Sequence, residues 1–110
     1  MPLKVKRIDV RRFEEAGAQG KMQKIGLFET ERFFCDVYCL LPGQAQKPHA
    51  HVGADKVYVL LEGTVTATIG DDQVSLSAGD CVLAPAGTAH GISNGGTSPA
   101  ALLVFMAPRP

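Results

Sequence analysis

Punctuation is the feature that most limits what this chain can fold into. Glycine or proline interrupts it roughly every eight to twelve residues, and the runs between are short and β-rich. These runs cover residues 24–29, 32–41, 56–63, 64–70, 73–77, 81–84, 89–93 and 100–106. Gly70, Asp71 and Asp72 supply a hairpin turn, because both residue types tolerate the backbone angles it needs. Only residues 10–19 carry a possible helical period, and they read equally well as a loop. The pattern predicts an all-β antiparallel fold, a sandwich or small barrel. Phe33, Phe34, Tyr38, Leu40 and Leu41 cannot all enter one small barrel, so the outer face needs a cover. A second copy of the chain is the simplest one, which predicts a homodimer.

Size and charge narrow the function. With 110 residues the chain is read as one domain with one modest core. Eleven basic side chains balance eleven acidic ones, so no net field draws the protein to nucleic acid or an anionic membrane. The cluster Lys4, Lys6, Arg7, Arg11 and Arg12 is answered by Glu14 and Glu15 and reads as a solvated face. No apolar run approaches the ~20 residues of a membrane span, and the N-terminus lacks the continuous apolar run of a secretory signal. Three cysteines, Cys35, Cys39 and Cys81, then indicate reduced thiols and a cytoplasmic protein. Cys35 and Cys39 lie roughly 13 Å apart along one strand, too far to bridge each other.

The chemistry centres on the chain's three histidines. His49 and His51 sit at i and i+2, so on a strand they project from one face with Cα atoms roughly 6.5 Å apart. Two imidazoles at that spacing can share one ion through bonds of ~2.0–2.1 Å. A third ligand must come from elsewhere, and His90 follows a proline–glycine turn that can swing its strand across a barrel mouth. Taken alone, an H-x-H pair is more often two polar side chains on a wet surface. Three imidazoles would suit iron, nickel, copper or zinc and leave positions open for substrate.

The neighbouring residues change that balance, because they resemble the two motifs of the cupin superfamily, G-x5-H-x-H-x(3,4)-E-x6-G and G-x5-P-x-G-x2-H-x3-N. Gly43, His49, His51 and Gly63 match the first. Gly79, Pro85, Gly87, His90 and Asn94 match every position of the second. Fifteen residues separate Gly63 from Gly79, at the short end for such proteins. The resemblance covers roughly residues 36–107, with 1–31 as an N-terminal extension used in dimer packing. It implies a small single-domain, RmlC-like cupin: an antiparallel double-stranded β-helix, or jelly-roll barrel. It further implies a divalent transition metal (iron, manganese, nickel or zinc) held by His49, His51 and His90.

One position departs from the motif. Where a cupin usually has the glutamate ligand, this chain has Lys56. An ammonium beside a metal cation is repelled, and removing it from water costs more. Three arrangements follow. Asp55 supplies the carboxylate across a small bulge. Alternatively the site has three histidines only, with Lys56 turned outward or paired with Asp55. In the third, no metal binds tightly, and Lys56 and the histidines hold an anion. The second is favoured over the first, and the third comes last. Glu62, at a strand end, is an ordinary exposed carboxylate. Asn94 is read as a loop fastener rather than a substrate contact. The implied function is a metal-dependent dioxygenase, decarboxylase or isomerase acting on a small oxygen-rich molecule. Tyr58 and Lys56 are then the candidates for proton transfer or anchoring. The competing reading is a non-catalytic small-molecule binding or sensing domain.

Overall fold

The computed structural model describes residues 3–9 and 20–109. The helix-or-loop segment 10–19, with Arg11, Arg12, Glu14 and Glu15, lies outside the described residues. Nine strands are described: β1 (Gln23–Glu29), β2 (Phe34–Leu40), β3 (Ala45–His49), β4 (Asp55–Glu62), β5 (Thr64–Ile69), β6 (Asp72–Ser77), β7 (Cys81–Ala84), β8 (His90–Ser93) and β9 (Ala100–Ala107). They form two antiparallel sheets, one ordered β1-β2-β9-β4-β7 and the other β3-β8-β5-β6. The all-β antiparallel expectation holds, and the chain is a double-stranded β-helix. Among the described residues no helix is long and apolar enough to cross a membrane.

Alternation along the strands decides what enters the core. On β4 the residues Lys56, Tyr58 and Leu60 are buried, while Val57 and Val59 are half-buried on the other face. Register carries that division across the five-stranded sheet. Leu60 pairs with Leu102, and Tyr58 pairs with Val104 and Val82. Tyr38, Leu40, Tyr58, Leu60, Leu102 and Val104 meet Val65, Ala67, Leu76 and Ile92 of the second sheet in one apolar cluster. A smaller cluster, Leu27, Cys35 and Val37 with Phe28, Phe33 and Leu103, occupies the opposite face of β1, β2 and β9. Phe33 stacks on Phe105 with ring centroids 4.9 Å apart. The aromatic excess on this sheet is therefore divided between two faces, as its pattern predicts.

Glycines set the closest approaches. At Gly63, between β4 and β5, φ is +83°, and an added Cβ would lie 2.5 Å from the Pro99 carbonyl oxygen. Gly70 turns β5 into β6 with φ +61°, and Ile69 pairs with Asp72 around a two-residue loop. Asn94 is a fastener: its Nδ2 donates to the carbonyls of Leu40 (2.8 Å) and Ser98 (2.9 Å), and its Oδ1 accepts the Gly96 N–H (3.0 Å).

Candidate metal centre

Two strands of the smaller sheet bring the histidines together. β3 and β8 are antiparallel neighbours, and His49 pairs directly with His90. That close approach depends on Gly91, where a Cβ would sit 2.6 Å from the Gln46 carbonyl oxygen and 2.9 Å from the Pro48 nitrogen. The sequence pattern places His49 and His51 on one strand. β3 in fact ends at His49, and His51 lies just beyond it, ahead of the turn at Val52 and Gly53. The break comes where Gly53 takes φ +83° and reverses the chain toward β4. The rings nevertheless converge. Centroids are 4.8 Å apart for His49 and His51, 4.4 Å for His49 and His90, and 5.6 Å for His51 and His90.

Ligand-capable nitrogens of the three rings all lie within 4.8 Å of one another, a small closure from sharing one ion through ~2.0–2.1 Å bonds. Their hydrogen bonds suit that role. Nδ1 of His49 lies 3.0 Å from the Lys47 carbonyl, and Nδ1 of His90 lies 3.0 Å from the Thr88 carbonyl. A carbonyl only accepts, so Nδ1 donates and the proton stays there. Nε2 is left with a free lone pair, the tautomer a metal needs. In His90 this Nε2 is buried and has no hydrogen-bond partner. Burial also lowers the pKa of His90, against the Thr88 bond and with help from Lys56. His51 is lowered by burial first, then by His49, Lys56 and Lys24. The neutral forms of His51 and His90 are thus favoured, and the donor set fits a divalent transition metal.

Asp55 does not join this cluster. Its Oδ1 accepts the Ala86 N–H at 2.9 Å, on the exposed face of β4. Strand alternation is the reason: Asp55 and Lys56 point to opposite sides, and no bulge falls between them. For the same reason Lys56 is neither turned outward nor paired with Asp55. It is 1% exposed, with Nζ 5.0 Å from the Tyr58 ring centroid and 5.2 Å from that of Tyr38. Burial brings its pKa down to about 8, Lys24 adding to the fall and Asp36 opposing it.

Tyr58 is fully buried, its ring centroid 6.2 Å from that of His90. Burial, then Tyr38, raises its pKa, so the phenol stays protonated. Its hydroxyl donates to Gln46 Oε1 at 2.9 Å, and Lys56 Nζ reaches the same oxygen at 3.5 Å. Gln46 is a site residue that sequence reasoning missed. Its one signal is its place on β3, an odd number of residues from His49, which with strict alternation puts it on the opposite face. A register shift between Gln46 and His49 undoes that parity and turns Gln46 inward.

Two antiparallel sheets with three convergent imidazoles, an arrangement compatible with a divalent metal, define a class, the double-stranded β-helix. The chain belongs to the cupin family: the model of the cupin domain matches residues 36–106. Among solved structures, TT1209 from Thermus thermophilus is 47% identical and superposes with a TM-score of 0.85, covering 98% of this chain and all of that one. A Klebsiella pneumoniae protein with a double-stranded β-helix domain gives a TM-score of 0.83 at 24% identity, over 94% of this chain and 90% of that one. The curated tetracenomycin polyketide synthase protein TcmJ of Streptomyces glaucescens is 31% identical over 74 residues, 64% of this chain. The chain spans about half the length of that relative.

Proposed function

We propose that the protein holds one divalent transition metal on His49, His51 and His90 and acts through it on a small oxygen-rich molecule. The observation that carries this is the buried, partnerless Nε2 of His90 beside two imidazoles. A buried polar atom without a partner costs free energy unless something absent from the chain completes it. Such a metal would supply Lewis acidity, undiminished by any carboxylate ligand. The chain's own residues would do the rest. Tyr58 stays protonated and donates a hydrogen bond, while Lys56, with a pKa brought down to about 8, can give up or take a proton near neutral pH. Dioxygenase, decarboxylase and isomerase chemistry all fit this equipment. TcmJ, by its name a polyketide synthase protein, is in keeping with an oxygen-rich substrate. A non-catalytic binding module is the second reading, favoured by the lysine at the usual carboxylate position. Cys35 and Cys81 are free thiols, which supports a reducing, cytoplasmic setting. We further infer a homodimer built on the outer face of the five-stranded sheet, with the N-terminal extension packed against the partner.

Metal quantification on untagged protein tests the centre. One metal per chain is expected, and His90→Ala should weaken binding by more than the ~10–100-fold that loss of a supporting partner costs. Lys56→Glu, which replaces an inward ammonium with a carboxylate, should tighten it. Wild-type protein that takes up no metal from iron, manganese, nickel or zinc solutions would sink the proposal. Metal bound without turnover on carboxylated or phenolic substrates would favour the binding module.

A further inference from the structure

A cavity of about 440 Å³ opens beside the histidines, within the size range of small-molecule sites. Its wall includes His49, His51 and Gln46 together with Lys24, Lys47 and Lys56, and no carboxylate. Lys24 and Lys47 are exposed at its rim, where water solvates their charge. Lys56 is different, because it is 1% exposed and forms no ion pair among the described residues. Its three N–H donors find one acceptor, Gln46 Oε1 at 3.5 Å, and two ring faces. Gln46 Oε1 is already engaged by Tyr58 at 2.9 Å. The Lys24 ammonium stands 5.3 Å from the same Tyr38 ring that Lys56 faces at 5.2 Å, so two cations converge on one aromatic platform. Asp36 acts electrostatically on Lys56 but is not part of the cavity wall. A buried ammonium with donors to spare, at the wall of an acid-free cavity, lacks an anion.

We propose that Lys56, assisted by Lys24, anchors a carboxylate of the molecule bound in this cavity, so that the ligand class is a small carboxylic acid with a second oxygen function. The anchor itself stands on the lysines and the cavity; only the placing of the second oxygen toward the histidines rests on the proposed metal centre. On this view Lys56 is not a failed metal ligand. Its position moves the negative charge from the protein to the ligand.

Malonate, a small acid with two oxygen-bearing ends, and malonamide, its neutral counterpart, are suitable probes for titration calorimetry on metal-free protein. Malonate should bind and malonamide should not. Lys56→Met should weaken malonate binding at least tenfold, Lys24→Glu at the rim several-fold, and exposed Lys21→Met not at all. Circular dichroism checks that Lys56→Met is folded; if it is not, Lys24→Glu decides, since that exposed position does not support the core. Malonamide binding as tightly as malonate, malonate binding unaffected by either cavity lysine, or no malonate binding at all would overturn the proposal. Titration of the same samples with iron, manganese, nickel and zinc is read separately: a protein that binds malonate through Lys56 but none of these metals refutes the metal centre and leaves the anchor intact.

Discussion

At the scale of single residues, Lys56 is where this chain gives up stability. Its pKa falls from 10.5 to about 8, with burial as the largest cause. The sign follows from linkage. Between pH 8 and 10.5 the unfolded chain holds a proton on this amine that the folded chain has lost, so stability rises with pH across that window. Below about pH 8 the full penalty is present, about 3 kcal/mol. Lys56→Met removes the charge and keeps an unbranched side chain. The variant should therefore be more stable than wild type at pH 7, with most but not all of the gap closed at about pH 10, as urea unfolding at both values would show. Equal stabilities at pH 7 would mean that the ammonium has found a partner. The histidines were legible in the sequence because motif spacing alone identifies them. The facing of Lys56 was not, since β4 is apolar on both sides and its parity is fixed only by pairing with β9 and β7.

At the scale of elements, the centre depends on how closely β3 and β8 approach. A methyl group at Gly91 would meet backbone of β3 at 2.6 and 2.9 Å, and backbone cannot step aside as a side chain can. Gly91→Ala should separate His49 from His90, cost ~1–3 kcal/mol as overpacking does, and reduce metal affinity. Gly95→Ala, with open space around the new methyl, is the control and should leave both unchanged. Metal titration and thermal unfolding on the two variants check this. Strand positions were readable from turn signals: β7 matches its expected span, and β5, β6 and β8 lie within a residue of theirs. β3 was not, because "AQKPH" has neither alternation nor β-branched residues. It is a strand because β8 lies beside it, with Asn94 N–H donating to the Gln44 carbonyl just before its start. The tertiary partner overrides the local preference there.

At the scale of the whole molecule, the outer face of the five-stranded sheet is the feature still to be accounted for. Register sets Phe105, Val57 and Leu83 side by side, with Leu103, Val59 and Cys81 in the next outward row. Phe105 and Leu83 remain 41% and 53% exposed, and Cys81 is exposed as well. Two adjacent apolar rows differ from the scattered apolar residues any surface carries, because only a contiguous patch can exclude water from a partner. Closed assemblies of identical subunits most often use one twofold axis, and a flat sheet face can pair with itself across such an axis. Leu3 and Val5 are 91% and 83% exposed, so the N-terminal stretch also has apolar surface free to lie on a second chain. Phe105→Glu places a charge at the middle of the patch and removes its stacking on Phe33, but leaves the main core untouched, where Leu102, Val104 and Met106 face inward. Light scattering coupled to size exclusion should give twice the 11.7 kDa chain mass for wild type, and a single chain mass for the variant. A wild-type monomer would refute the dimer. An unshifted Phe105→Glu dimer would move the interface elsewhere, and the exposed Leu3 and Val5 are then the next positions to charge.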